Sequence, residues 1–203
     1  MRLDPFYLIV DSADWIARLV PLGVKLVQLR IKDRPDDVLA AEIRRAKAVC
    51  AAHGCVLVVN DHWRIALDEG CAAVHLGQED LASADLAAIR AAGLKLGVST
   101  HDGDELSTAL AARPDYVALG PVYPTILKAM KWRPQGPERI GDWRSRIGDL
   151  PLVAIGGLTP ERLDGVFRHG ADSAAVVTDI TLNGDPEART RAWIEGTAPW
   201  RRS

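Results

Sequence analysis

The chain has 203 residues, 25 basic and 27 acidic side chains with a formal charge of -2, and 48% hydrophobic residues. This balance excludes a global attraction to nucleic acid or to an anionic membrane. No apolar run approaches the roughly 18 to 20 residues that span a bilayer, and the N-terminal apolar stretch is too short for a signal peptide. We therefore expect a cytoplasmic protein, with residues 1–203 in one domain, or at most two small ones.

Three cysteines, Cys50, Cys55 and Cys71, have neither C-x-x-C spacing nor a regular framework. Each stands beside small or apolar residues, which favours buried thiols over metal or redox chemistry. They fit a reducing compartment.

Eight short apolar runs recur along the chain with helical stretches between them. Continuous apolar runs, rather than alternating ones, are typical of strands that are buried on both faces of a parallel sheet. The predicted strands cover residues 7–10, 26–29, 56–59, 73–76, 95–98, 116–119, 152–155 and 173–177.

The segments between these runs are rich in Ala, Leu, Arg and Glu, most clearly at residues 35–52, where a proline stands at the expected helix start. Further helices are predicted at 84–91, 104–112 and 160–168. Several of these segments end in Gly or Pro just before the next strand, and glycine there suits a left-handed helix C-cap.

Eight β-α units in 203 residues average about 25 residues each, close to the smallest size at which a (β/α)8 barrel closes. The alternative is an open doubly wound sheet, which usually has fewer strands and a glycine-rich turn after the first. Residues 11–14 follow the first strand here and contain no glycine. We therefore predict an α/β protein with the (β/α)8 TIM-barrel fold.

Cationic side chains stand where strands of this barrel end, which is where such folds place their chemistry. Arg30 and Lys32 alternate along the exit of the second strand and face the same way as Gln28. With Lys128, after the sixth strand, they suit a highly charged phosphate ligand. The alternative is that they are solvated charges at the rim.

Two carboxylates, Asp61 and Asp80, follow the neighbouring third and fourth strands. Carboxylates beside three cations suit Mg²⁺ that is held by a few protein oxygens, with water and phosphate as the remaining ligands. The alternative roles are an N-cap for the helix after Asn60 and a salt-bridge partner for Arg30. We predict Mg²⁺ as the cofactor.

A second anion corner is predicted after the seventh and eighth strands. Gly156 and Gly157 follow one strand, and Val177 and Thr178 follow the other, where barrels of this kind bind phosphate with backbone N–H groups. One corner thus suits a pyrophosphate with Mg²⁺ and the other suits a phosphomonoester. Two anionic ligands at one site imply that a group is transferred from one ligand to the other.

These strand ends resemble those of the thiamine phosphate synthase (thiamine-phosphate pyrophosphorylase) family over about residues 6–185. The remaining residues, 186–203, are expected to form a last helix and a tail. The resemblance rests on eight segments in order, namely YLIVD at 7–11, QLRIK at 28–32, VND at 59–61, VHLGQEDL at 74–81, GVSTH at 97–101, GPVYPTILK at 120–128, AIGGL at 154–158 and AVVT at 175–178.

The resemblance implies a transferase that joins 4-amino-2-methyl-5-hydroxymethylpyrimidine diphosphate to hydroxyethylthiazole phosphate, or to its carboxylated precursor. The products would be thiamine monophosphate and pyrophosphate, formed by a dissociative, Mg²⁺-assisted mechanism. Small molecules are the expected partners, nucleic acid and membranes are not, and a homodimer is compatible with the sequence.

The resemblance also assigns residues to roles. Asp61 and Asp80 would ligate Mg²⁺. The expected catalytic residues are Arg30, Lys32, Ser99 and Lys128. The pyrimidine diphosphate would be bound by Gln28, Leu29, Arg30, Ile31, Lys32, Asn60, Ser99 and Lys128, and the thiazole phosphate by Thr125, Leu127, Gly156, Gly157, Val177 and Thr178.

One position departs from the family pattern, which commonly reads Pro-Thr-x-Thr-Lys after the sixth strand. Leu127 replaces the second threonine, so a hydroxyl donor is lost, and this leaves the preferred form of the thiazole substrate open. The segment that follows, residues 129–137, is either a lid or an ordinary exposed basic loop.

Two other functions compete with the synthase. A thiazole tautomerase of the same family uses a histidine near the end of the fifth strand, where His101 stands, although a histidine near a helix start is more often a cap or packing residue. A monophosphate substrate also leaves the diphosphate and metal corner unexplained. The other alternative is a non-catalytic barrel that binds a thiamine precursor. The presence of both proposed metal ligands, Asp61 and Asp80, disfavours it.

Overall fold

The computed structural model describes residues 3–125 and 133–201. Eight parallel strands within these ranges close into a barrel in sequence order, and the eighth strand pairs back with the first. The predicted (β/α)8 fold is confirmed. The strands are β1 Phe6–Val10, β2 Leu26–Leu29, β3 Val56–Asn60, β4 Ala73–Leu76, β5 Lys95–Thr100, β6 Tyr116–Leu119, β7 Leu152–Ile155 and β8 Ser173–Val176.

Helices connect the strands on the outside of the barrel. In the described part of the chain they are α1 Ala13–Leu19, α2 Asp36–His53, α3 Trp63–Asp68, α4 Gln78–Ser83, α5 Leu86–Ala91, α6 Gly103–Ala111, α7 Glu138–Ile147, α8 Leu163–Arg168, α9 Thr178–Thr181 and α10 Pro186–Thr197. Short 3-10 turns at Val20–Leu22, Pro160–Arg162 and Ala198–Trp200 complete the connections. None of the described helices is both long and apolar enough to cross a membrane.

Two predicted helices differ from the observed ones. The segment predicted at 84–91 begins later, at α5, because the Asp85 carboxylate accepts hydrogen bonds from the N–H groups of Ala87 and Ala88 at 3.0 and 2.9 Å and starts a new helix there. The segment predicted at 160–168 starts as a 3-10 turn and becomes α8 only at Leu163.

Side chains alternate along each strand between the barrel interior and the layer under the helices. On β1, Phe6, Leu8 and Val10 belong to the outer core, whereas Tyr7 and Ile9 belong to the interior cluster. The same interior also contains the buried polar side chains Gln28, Asn60, His75 and Ser173. Polar groups are therefore presented along the inside of the barrel up to its carboxyl end.

The predicted last helix is observed as α10, which packs against the start of the barrel. Trp193 of α10 is fully buried, and its ring stacks on Phe6 with the centroids 5.6 Å apart. Its indole N–H donates to Asp179 Oδ2 at 2.7 Å, beside the end of β8. The last helix thus supports the closing strand pair.

Candidate active site

The carboxyl end of β3 brings three predicted site residues together. Lys32 Nζ lies 3.1 Å from Asp61 Oδ2, and the Asn60 amide donates a hydrogen bond to the same oxygen. Asp61 has a left-handed backbone conformation with φ 62°, which is uncommon for a residue with a side chain. Its N–H donates to the carbonyl of His75 at 2.9 Å, so the strained turn is tied to β4.

Asp80 approaches this corner from the first turn of α4. Burial raises the pKa of the Asp80 carboxyl, and the neighbouring Asp61 carboxylate raises it further, while Lys32 opposes the shift. A bound cation would stabilise the charged form of Asp80 beside the Asp61 carboxylate. Two carboxylates are enough for Mg²⁺, which commonly takes its other ligands from water and phosphate. Residues 3–125 and 133–201 contain no group of three or more His, Cys, Asp or Glu side chains suited to a metal.

Arg30 lines a cavity of about 340 Å³ between the ends of β1, β2 and β8. Lys32, by contrast, turns toward β3 and Asp61. The cavity has the size of a small-molecule site. Its lining residues are Ile9, Val10, Asp11, Arg30, Val177, Thr178, Thr181 and Leu182, so Arg30 shares one space with the predicted phosphate corner at Val177 and Thr178.

Five side chains form an interior hydrogen-bond network across the barrel. The Gln28 amide nitrogen donates to the Tyr7 hydroxyl at 2.9 Å, and this hydroxyl lies 2.9 Å from the Tyr116 hydroxyl. The Tyr116 oxygen lies 2.9 Å from His75 Nδ1, and His75 Nε2 lies 2.8 Å from Ser99 Oγ. The network therefore connects Gln28 and Ser99, two of the residues that the resemblance assigns to the pyrimidine diphosphate.

Burial keeps the central members of this network uncharged at neutral pH. It lowers the pKa of His75 to about 4; the Asp61 carboxylate opposes this shift and Arg30 adds to it. Burial likewise raises the pKa of Tyr7 and of Tyr116 above the usual tyrosine value. None of these three residues has a predicted role, although Tyr7 and His75 lie in motifs that carried the resemblance and Tyr116 lies at an inward-facing strand position.

Gly156 and Gly157 allow the segment after β6 to approach the end of β7. Both have positive φ angles, 100° and 62°, and a Cβ on Gly157 would lie 2.3 Å from the carbonyl oxygen of Pro124. The Tyr123 N–H donates to the Gly156 carbonyl at 3.0 Å. The glycine pair thus brings the segment that ends at Thr125 to the phosphate corner.

The remaining predicted residues differ in their placement. Leu29 and Ile31 are buried in the outer core under the helices, so their side chains face away from the mouth and only their backbone can contact a substrate there. Leu127, Lys128 and residues 129–132 lie outside the described residues. In the rest of the predicted loop, Gln135 Nε2 donates to the carbonyl of Gly120 at 2.9 Å, which ties this part to the end of β6.

His101 contacts the start of a helix, which is the more common role for a histidine at such a position. Its Nδ1 lies 2.7 Å from Glu105 Oε2, and its backbone N–H donates to the same oxygen at 2.9 Å. Glu105 belongs to the first turn of α6. The side chain therefore helps to fix the start of that helix.

A family model described as thiamine monophosphate synthase matches residues 6–180. The chain belongs to this family. Like the thiamine-phosphate synthases that it resembles, it is a transferase of thiamine biosynthesis. It is 75% identical over 201 residues to a thiamine-phosphate synthase of Rhizobium etli, covering 99% of this chain and 98% of the relative. A thiamine-phosphate synthase of Escherichia coli is 48% identical over 189 residues, with 93% and 90% covered.

Solved structures agree with this family at the level of the fold. A thiamine phosphate pyrophosphorylase from Pyrococcus furiosus superposes with a TM-score of 0.86 at 23% identity, covering 98% of both chains. A 3-hexulose-6-phosphate synthase superposes with a TM-score of 0.69 at 16% identity, covering 95% of this chain and 99% of the other. These two likenesses show the barrel alone.

Proposed function

We propose that the chain joins 4-amino-2-methyl-5-hydroxymethylpyrimidine diphosphate to hydroxyethylthiazole phosphate, or to its carboxylated form with release of the carboxyl group as CO₂, giving thiamine monophosphate and pyrophosphate. The observation that carries this proposal is the pairing of two anion corners at one barrel mouth. Lys32, Asp61 and Asp80 form the diphosphate corner together with Arg30, and Val177 and Thr178, which line the same cavity as Arg30, form the phosphate corner.

In the first step, the bond between the pyrimidine methylene carbon and the diphosphate oxygen breaks, and both electrons leave on that oxygen. The 4-amino group stabilises the resulting cation by resonance. Lys32 and Arg30, with Lys128 by its position in the sequence, neutralise the charge that grows on the leaving pyrophosphate. Mg²⁺ at Asp61 and Asp80 supplies further positive charge when bound.

In the second step, the thiazole nitrogen donates its lone pair to the cationic carbon and forms the new C–N bond. The protein needs to supply no nucleophile and no strong base for this step. Its contribution is to hold the thiazole phosphate beside the cation, for which we propose Thr125, Gly156, Gly157, Val177 and Thr178.

The two alternatives receive less support. The relatives described above are named as synthases, and His101 is engaged by Glu105 at the start of α6. A tautomerase acting on a monophosphate would also have no use for the carboxylate pair of Asp61 and Asp80. A non-catalytic barrel would need neither that pair nor Lys32 beside it.

We further propose that residues 1–203 act as one domain, which the packing of α10 on the first strand supports. The cytoplasmic location, the lack of a nucleic-acid partner and a homodimer stay predictions from the sequence.

The diphosphate corner is tested by Arg30→Ala and Asp61→Ala. We expect each to lower kcat at least tenfold while the KM for thiazole phosphate changes less than threefold, because each removes stabilisation of the leaving pyrophosphate. Lys25→Ala is the matched control: it removes an exposed cation at the opposite end of β2, where Lys25 Nζ binds the carbonyl of His53. A large rise in thiazole KM with an unchanged kcat contradicts the assignment.

A further inference from the structure

The interior hydrogen-bond network has one arrangement of protons that satisfies all of its described contacts. The Gln28 amide nitrogen carries only donors, so the Tyr7 oxygen accepts from it. Within residues 3–125 and 133–201, the other polar neighbour of the Tyr7 hydroxyl is Tyr116. Because a buried hydroxyl proton without an acceptor is costly, Tyr7 donates to Tyr116.

The donor and acceptor roles of Tyr116, His75 and Ser99 follow from that of Tyr7. The Tyr116 oxygen already accepts from Tyr7, so its own proton goes to its other neighbour, His75 Nδ1. A neutral imidazole has one proton, and with Nδ1 as the acceptor that proton lies on Nε2. His75 Nε2 then donates to Ser99 Oγ. The hydroxyl proton of Ser99 is left to point away from His75.

The two ends of the network thus present opposite hydrogen-bonding groups. At the β2 end, one of the two N–H groups of the Gln28 amide donates to Tyr7, which fixes the orientation of the amide and leaves its carbonyl oxygen, on the other side of the amide plane's C–N bond, as the acceptor. At the β5 end, Ser99 offers a proton. Gln28 and Ser99 lie on strands that are three positions apart around the barrel, and a flat ring between them would meet an acceptor on one side and a donor on the other.

We propose that Tyr7, Tyr116 and His75 are positioning residues that fix this acceptor and donor pattern, and that the pattern selects an aminopyrimidine. An exocyclic amine donates to the Gln28 carbonyl, and a ring nitrogen accepts from the Ser99 hydroxyl. An oxo-pyrimidine presents a carbonyl where the amine should be, so it meets the Gln28 carbonyl with no proton between them. This proposal deepens the proposed function and rests on it.

The packing of the rings supports a fixed geometry. The rings of Tyr7 and Tyr116 meet edge to face with centroids 6.2 Å apart, and His75 stacks on Tyr116 at 5.5 Å. A Cβ on Gly97 would lie 2.0 Å from Tyr116 Cζ and 2.4 Å from its hydroxyl oxygen. The absence of a side chain at Gly97 therefore leaves room for the tyrosine hydroxyl at the centre of the network.

Steady-state kinetics of Tyr116→Phe test the proposal. The phenyl ring keeps the packing but breaks the network, so Gln28 and Ser99 lose their fixed orientation. We expect the KM for the pyrimidine diphosphate to rise about tenfold, as for the loss of a buried hydrogen bond, and the KM for thiazole phosphate to stay within twofold. Adding Tyr7→Phe should increase the effect little, because the network is already broken.

Thr100→Val is the matched control. Thr100 is as deeply buried as Tyr116, and its hydroxyl donates to the carbonyl of Ala118 and accepts from the Trp143 indole, but it lies outside the network. We expect a loss of stability without a rise in the KM for the pyrimidine diphosphate. An equal rise in that KM for Thr100→Val, or additive effects of the two tyrosine variants, overturns the positioning role.

The direction of the network is tested without substrate. Nitrogen-15 NMR of histidine-labelled protein distinguishes a protonated Nε2 from a protonated Nδ1, and a His75→Gln sample identifies the His75 signals. We expect the Nε2–H form, and the Nδ1–H form overturns the proposal. If the unmodified enzyme made no thiamine monophosphate, the proposed function would fail, while this spectrum would still report the direction of the network.

Discussion

His75 is a buried imidazole next to charged groups of both signs. It faces Tyr116 and Ser99, and the charges of Asp61 and Arg30 act on it in opposite directions. Burial dominates and holds its pKa at about 4, below the usual 6.5. The unfolded chain therefore binds more protons than the folded one between these two values, so this group makes stability rise with pH in that window.

Replacement of His75 should remove that pH dependence. We expect the stability advantage of the unmodified protein over His75→Gln to shrink by about 2 to 3 kcal/mol as the pH falls from 6.5 to 4.5. Urea unfolding of both proteins across this range measures it. An advantage that stays constant with pH would show that His75 is not held neutral.

The carboxylate of Asp80 is the other residue with a direct test. Asp80→Asn removes one of the two charges proposed to hold Mg²⁺, so we expect the Mg²⁺ concentration for half-maximal activity to rise about tenfold or more, as for a lost charge-assisted contact. Glu79→Gln, an exposed carboxylate in the same helical turn, should leave it unchanged. Equal effects of the two variants would contradict a specific role for Asp80.

At this scale the sequence was informative about strand ends and uninformative about the interior. The proximity of Lys32, Asp61 and Asp80 was predictable, because each follows a parallel strand and the carboxyl ends of these strands meet at one mouth. The contact of Tyr7 with Tyr116 was not predictable, because it joins residues that are 109 positions apart in the sequence and meet across the closed barrel. An inward-facing residue either packs in the core or contacts a ligand, and which of these it does depends on the side chain that lies opposite it once the barrel has closed.

At the scale of elements, the strand-end loop after β7 is shaped by what packs over it. Gly156 and Gly157 look in sequence like a simple tight turn, and they do have positive φ angles. The structure adds a second requirement, because a Cβ on Gly156 would lie 2.7 Å from Pro121 and one on Gly157 would lie 2.3 Å from the carbonyl oxygen of Pro124. This contact between two loops depends on the tertiary fold and has no signal in local sequence.

Gly157→Ala should therefore affect both stability and thiazole binding. We expect a loss of at least about 2 kcal/mol from the strained backbone and the clash, together with a several-fold rise in the KM for thiazole phosphate. Gly184→Ala is the control, because a Cβ there has no neighbour within 4 Å. Denaturant unfolding and steady-state kinetics report the two effects, and a neutral Gly157→Ala would contradict the role given to the glycine pair.

Element boundaries were predicted best where burial decides them. The strands β2, β4, β6 and β7 have the predicted ends, because apolar runs between polar loops leave little choice. The later start of α5 and the 3-10 turn before α8 were missed. Both depend on local capping and turn geometry, which compete with helix propensity over only one or two residues.

For the whole molecule, the count of β-α units was enough to predict the barrel. Eight units of minimal length leave the short strand-end loops as the place for a site, and the two proposed anion corners are built from these loops. The closing pair of β1 and β8 is reinforced by the contacts of Trp193 in α10 with Phe6 and Asp179. The sequence pattern predicted a last helix. The strands against which this helix packs are known only once the barrel has closed.

Product formation tests the central claim most directly. Purified protein is mixed with the pyrimidine diphosphate, hydroxyethylthiazole phosphate and Mg²⁺, and a parallel reaction contains the carboxylated thiazole phosphate. We predict that thiamine monophosphate and pyrophosphate form in equal amounts in at least one reaction and that chelation of Mg²⁺ stops them. No thiamine monophosphate with either thiazole, from folded protein with Mg²⁺ present, would contradict the assignment of this chain as a synthase.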